Sequence, residues 1–331
     1  GYCMTPRSRV GLFAISSASL VLSCVFFFDA ASAHAASAVG NMRPTMTQYE
    51  DAPNTRVTVT DDFGNKVTVR YPPQRIVSLA PGPTAMLRAA GAGGRLVATI
   101  EYSDQAAADS ELPKSGSVDA IDIERLIALR PDVLVVWPDG NNPAQIATIE
   151  RLGLPVYRQE AVTLDGMGAS LRRLGKLTGT SHIADQAASV LEARLASLRK
   201  EYSKPGPAPT AFLEVWDRPV YTVGGKELMS DALKVCGLRN VFADLPQRAP
   251  AIGIEAVLAR NPDIIIAAAP PGLGASWLAE WRRFPSLRAV RAGRLMNFED
   301  QRLSGLGPGI IDATAALCRK VAALEAETER K

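Results

Sequence analysis

The sequence predicts an α/β protein of two Rossmann-like lobes with mostly parallel sheets, joined by one long connecting helix. The first observation is a repeat. Asp122–Trp137 and, 131 positions later, Gly253–Ala268 share one template: isoleucine and glutamate, an apolar turn, then Pro-Asp and a β-branched run. The apolar spacing before Pro131 and Pro262 suits one buried face of a short helix, and proline disfavours helix in the residue before it. The second observation is that Val133–Val136 and Ile264–Ala267 lack polar alternation, which fits strands covered on both faces of a parallel sheet. The third is a helical period over residues 165–203, with Gly166, Gly168, Gly175 and Gly179 thinning its first half. A kinked or broken helix is expected there, closed by Lys204-Pro205-Gly206-Pro207.

The elements follow in order. Residues 1–35 read as a signal peptide and 36–55 as a disordered lead-in. An N-terminal α/β lobe takes 56–164, the connecting helix 165–205, and a C-terminal α/β lobe 206–331. Arg56–Thr60 and Lys66–Arg70 alternate around Asp61–Asn65, a hairpin signal. Ile76–Leu79 is a strand, Pro83 starts a helix that ends near Gly91, and Leu96–Ile100 is the next strand. Beyond the first repeat come a helix at Ala144–Leu152 and a strand at Val156-Tyr157. The second half runs through a strand Thr210–Trp216, a loop Asp217–Gly225 and a helix Leu228–Cys236. It then passes the second repeat, a short helix Trp277–Phe284, a strand Leu295–Phe298 and a closing helix Pro308–Leu324.

Met4, with Arg7 and Arg9, precedes an uncharged stretch from Val10 to Phe28 and then small-x-small patterns at Ala31–Ala33 and Ala33–Ala35. Export to the periplasm with cleavage is the expectation, and a retained membrane or lipid anchor is the alternative. Cleavage would leave Cys236 and Cys318. Two cysteines in an oxidising compartment most simply pair, in a bridge worth on the order of 4 kcal/mol by chain entropy; two buried free thiols are the alternative.

Several function classes drop out. A net charge of +3 over 331 residues gives no case for nucleic acid. There is no Walker A loop and no Gly-x-Ser-x-Gly elbow, and Gly305–Gly309 lacks the dinucleotide spacing. Ser197 and Lys200 fit Ser-x-x-Lys without the partner motifs. The two histidines, His34 and His182, build neither a triad nor a bare metal site, so no catalytic residue and no metal is expected. What remains are aromatic and polar residues where strands end, the place where open α/β sheets collect ligands: Tyr102, Trp137, Trp216, Tyr221 and Arg302. Each aromatic could equally be a core residue, and Arg302 a solvated surface residue. Glu124 and Glu255 each open a repeat helix, where the dipole favours a carboxylate; plain helix-start residues are the simple alternative.

Val59–Gly64, Arg75–Pro81 and the two repeat copies resemble the class III substrate-binding proteins of ABC importers. Tyr102–Asp104, Trp137 with Gly140-Asn141, Phe212–Glu214, Gly225–Glu227, Val235–Gly237, Asn240–Phe242 and Leu317-Cys318 resemble the cobalamin-binding branch of that family. Where that branch carries tryptophans, Val118–Ala120 and Pro250 stand here. The resemblance implies a non-enzymatic periplasmic protein that holds cobalamin or a related corrinoid between two lobes. Tyr102 and Trp137 would line that site, cobalamin being the transported ligand and not a cofactor. It also implies a Cys236–Cys318 disulfide, and docking of Glu124 and Glu255 on an inner-membrane permease dimer with its ATPase. The rivals are haem or an iron–siderophore in the same class, and an envelope α/β enzyme in another.

Overall fold

The computed structural model describes residues 55–103 and 107–330. The export segment, the lead-in through Asn54, and Asp104 lie outside these described residues. The chain starts with an antiparallel pair, β1 (Arg56–Thr60) and β2 (Lys66–Arg70), with Arg56 opposite Arg70. Asp61 makes the turn between them. Its Oδ1 accepts hydrogen bonds from the backbone N–H of Phe63 at 2.9 Å and Asn65 at 2.8 Å, while Gly64 takes a φ of +83°.

The first lobe consists of β3 (Ile76–Ser78), α1 (Pro81–Ala89), β4 (Leu96–Ala98), α2 (Ala107–Ser110), α3 (Ile123–Leu129), β5 (Val133–Val136), α4 (Pro143–Arg151) and β6 (Val156–Arg158). Two helices follow, α5 (Gly166–Thr178) and α6 (Ser181–Tyr202). The second lobe holds β7 (Thr210–Glu214), β8 (Trp216–Asp217), β9 (Val220–Tyr221), α7 (Leu228–Val235), β10 (Arg239–Asn240) and α8 (Ile254–Arg260). It continues with β11 (Ile264–Ala267), α9 (Gly274–Arg282), α10 (Arg288–Arg291), β12 (Leu295–Asn297) and α11 (Ile310–Glu329).

Both main sheets are parallel, in the orders β4-β3-β5-β6 and β10-β7-β11-β12. In each lobe the first strand therefore lies between the second and the third, so the duplication read from sixteen residues extends to the whole sheet plan. The repeat places β5 and β11 at equivalent central positions. Its Pro-Asp is a staple. Asp132 Oδ2 accepts from the N–H groups of Gln74 at 2.7 Å and Arg75 at 2.9 Å, and Asp263 Oδ2 accepts from Thr210 N–H and Oγ1 at 2.8 Å. Each aspartate thus ties the start of its strand to the start of the neighbouring one. Each repeat helix ends in a left-handed residue, Arg130 and Asn261, both with φ of 45°.

The expected break in the helical stretch falls at Gly179 (φ +73°), which closes α5. The two helices then fold back on each other. Arg172 donates to Glu192 at 2.5 Å, Arg199 to Asp165 at 2.6 Å, and a Cβ on Gly175 would stand 2.5 Å from that of Ala184. The second and longer member, 22 residues, leads into the C-terminal lobe. One expectation is corrected: Trp216 does not end the strand expected at Thr210–Trp216. The buried strand stops at Glu214, and Trp216 opens the short antiparallel ribbon β8–β9 within what read as a loop.

Three apolar layers account for the runs without alternation. Val77, Leu79, Leu134 and Val136 face one cluster in the first lobe, and Phe212, Ile265 and Ala267 face another in the second. The opposite faces, through Val133, Val135, Leu213 and Ile266, share one cluster with Leu174, Leu191, Leu195 and Leu317 of α5, α6 and α11. Both sheets therefore rest on a common helical core.

Candidate functional site

In open α/β sheets ligands gather outside the carboxyl ends of strands, at the point where strand order reverses. Here that point lies between β3 and β5 in the first lobe and between β7 and β11 in the second. Trp137 follows β5 directly. Its backbone N–H donates to Asn141 Oδ1 at 2.8 Å, and Asn141 Nδ2 in turn donates to the carbonyls of Leu79 and Val118, each at 2.8 Å. The indole lies against Gly140, where a Cβ would stand 1.9 Å from the ring, so glycine is the residue this approach permits. Trp137 Nε1 donates to Glu160 Oε1 at 3.2 Å, which fixes the ring at the mouth of the lobe.

In the second lobe a cavity of about 120 Å³ opens at the strand ends, lined by Val215, Trp216, Ala268, Pro270, Phe298 and Gln301 among others. Trp216 is 51% exposed and meets Trp277 edge-on at 6.4 Å. Tyr221 stands opposite Trp216 in the ribbon. Arg302 lies on the rim, its Nε and Nη2 donating to Asp300 at 2.9 and 2.6 Å. That fork holds the Asp300 carboxyl below its ordinary range, against the opposing effect of burial. Tyr102 follows β4, is 92% exposed and has a φ of 60°. Among the described residues it makes no ring or hydrogen-bond contact with the other four.

Sequence reading missed the group that joins the lobes. Arg248, in the loop between β10 and α8, donates to Asp139 at 2.6 Å and to Glu160 from the first lobe, and to Glu227 at 2.8 Å from its own. Burial works against its charge, yet the three carboxylates, Glu160, Asp139 and Glu227, together outweigh it and raise the guanidinium pKa. Glu160 thus bonds both Trp137 and Arg248. A lone arginine among polar loop residues carries no sequence signal for this. The lobes also meet where Leu306 packs on Gly82 and Ala85 on Gly307; a Cβ on either glycine would lie 2.6 Å from its neighbour.

Glu124 and Glu255 occupy the first turns of α3 and α8, at equivalent places in the two lobes. Both are exposed, and among the described residues neither carboxylate accepts a hydrogen bond or joins an ion pair.

The profile of the periplasmic binding protein family matches residues 76–301, spanning both sheets and the helices between them. The chain belongs to that family. This binding protein is 31% identical over 252 residues to a vitamin B12-binding protein of Vibrio cholerae, covering 75% of this chain and 89% of the relative. It is likewise 31% identical over 249 residues to one of Photorhabdus laumondii, covering 75% and 88%. The crystal structure of the Vibrio cholerae vitamin B12-binding protein superposes with a TM-score of 0.69 at 30% identity, covering 77% of this chain and 98% of that one. A periplasmic haem-binding protein of Pseudomonas aeruginosa gives 0.63 at 27% identity, covering 74% and 91%. The two-lobed architecture is thus that of the class III binding proteins, and a disulfide joins Cys236 to Cys318 across 82 residues within the second lobe.

Proposed function

We propose that this binding protein captures cobalamin, or a related corrinoid, in the cleft between its lobes and delivers it to an inner-membrane ABC importer, a permease dimer with its ATPase. The protein does no chemistry, is exported to the periplasm, and needs no cofactor of its own. The observation that carries the ligand class is the likeness, at 31% identity over 89% of the relative, to a vitamin B12-binding protein. The cleft chemistry agrees with it. Aromatic faces at Trp137, Trp216 and Tyr221 suit a large, flat, partly apolar ligand, and Tyr102 stands at the edge to meet it. The 120 Å³ cavity holds only the margin of such a ligand, so the macrocycle would lie across the cleft toward Trp137.

Haem or an iron–siderophore is the rival, favoured by the likeness to a haem-binding protein at 27% identity and by an exposed tyrosine, Tyr102, free to act as an axial ligand. Its propionates, or an anionic siderophore, would want unpaired cations. Arg302 and Arg248 are already engaged by carboxylates, whereas corrin amides are neutral. Calorimetric titration with cyanocobalamin, haemin and ferric siderophores separates the readings. Saturable heat with the corrinoid alone is expected; heat only with haemin or a siderophore overturns the choice, and turnover of any of them would establish an enzyme. For delivery, Glu124 and Glu255 are the handles, one per lobe, that would meet cationic side chains of the permease.

A further inference from the structure

Apart from the cleft, the second lobe holds a cavity of about 430 Å³ beneath the ribbon β8–β9, between α9 and the start of α8. That volume lies in the range of small-molecule sites. Its walls are aromatic and aliphatic: Trp277, Trp281, Phe284, Val220 and Ile254. A carboxylate faces it from within. Glu214, the last residue of β7, is 2% exposed and accepts a hydrogen bond from Trp281 Nε1 at 2.8 Å through Oε2. Its other oxygen has no hydrogen-bond partner among the described residues. Among the described residues no guanidinium or ammonium pairs with it.

The charged groups around it are already matched to each other. Arg218 pairs with Asp217 at 3.1 Å, and Arg283 with Glu280 at 3.0 Å, both arginines being exposed at the rim. The lining therefore carries three carboxylates against two guanidiniums, and the unmatched one is the most deeply buried. Burying a carboxylate without a cation is costly, and an alanine or glutamine would end the strand without that cost. Indole and phenyl faces attract an ammonium group and tolerate its apolar substituents. We infer that this cavity is a second binding site, for a small organic ammonium ion whose charge meets Glu214 and whose apolar part packs on Trp277, Trp281 and Phe284. The site is separate from the cleft: the edge-on pair Trp216–Trp277 stands between them, Trp216 lining one space and Trp277 the other. It stands independently of which ligand the cleft takes.

Choline and its neutral isostere 3,3-dimethylbutan-1-ol are the probes, titrated into the folded protein while its tryptophan fluorescence is followed. Choline is expected to bind one to one at pH 8, at least tenfold more tightly than the isostere. Glu214→Gln, which keeps the shape and can still accept from Trp281, is expected to lose at least tenfold in choline affinity and nothing in affinity for the isostere. Affinity for choline is also expected to fall as pH drops from 8 to 6, since burial, with Asp217 nearby, raises the Glu214 pKa; the other charged groups lining the cavity are Arg218, Glu280 and Arg283. Equal binding of the two probes, unchanged choline binding in the variant, or no binding of choline at all would each overturn the assignment.

Discussion

Glu214 shows how a single buried group sets a property of the whole protein. Burial pushes its carboxyl up from 4.5 to about 7, with the hydrogen bond from Trp281 opposing and Asp217 adding to the rise. A folded-state pKa above the unfolded one means that stability is fully present below about 4.5 and is lost as pH rises through about 7. The expected loss between pH 5 and 8 is about 2.5 kcal/mol from this residue. Denaturant unfolding across that range checks it, and Glu214→Gln should flatten the slope; an unchanged slope in the variant assigns the pH dependence elsewhere. Glu214 was legible only as part of the Phe212–Glu214 resemblance, inside the expected strand Thr210–Trp216; its burial was not, because its partner Trp281 lies 67 residues away. Trp137 and Trp216 were legible as strand-end aromatics. The staples Asp132 and Asp263 were legible only as part of a repeat, since their partners Gln74, Arg75 and Thr210 lie more than fifty residues away.

The elements were read best where local chemistry and burial agree. β1, β2, β5 and β11 carry the expected bounds, because alternation or an unbroken apolar run already states which faces are covered. The two-residue strands β8, β9 and β10 were not foreseen as strands, since strands so short exist through their partners rather than through their own propensity. The α5–α6 fold-back was half visible. Its glycines announced a break, but the apolar period runs on through both helices because both bury a face in the same core. The disulfide is the element-level constraint that can be weighed. Cys236 caps α7 and Cys318 lies within α11, so the bridge ties two helices together inside the shared core and closes an 82-residue separation. Chain entropy puts it at about 4–5 kcal/mol, and engineered losses run at about 2–5. Cys236→Ser with Cys318→Ser is expected to lower unfolding free energy by that amount, read from denaturant curves of oxidised protein and variant. A difference under 1 kcal/mol would show that packing of α7 on α11 suffices alone.

At the scale of the molecule, two sheets of the same strand plan rest on one helical layer, with Arg248 and the Gly82–Leu306 contact bridging the cleft. A shared core of this kind favours small changes of lobe separation over wide hinge opening. The same duplication puts Glu124 and Glu255 at matching places, exposed and unpaired among the described residues. Reversing both charges to lysine is expected to leave corrinoid affinity within twofold and to abolish uptake in cells that depend on this protein. Uptake that survives would return both residues to the role of helix starts. If the cleft is where the corrinoid binds, a crystal structure of the protein with cyanocobalamin will show the macrocycle touching both lobes, with Trp137 on one side and the Trp216 cavity on the other. A corrinoid bound to one lobe alone, with Trp137 and Trp216 untouched, would contradict capture between the lobes.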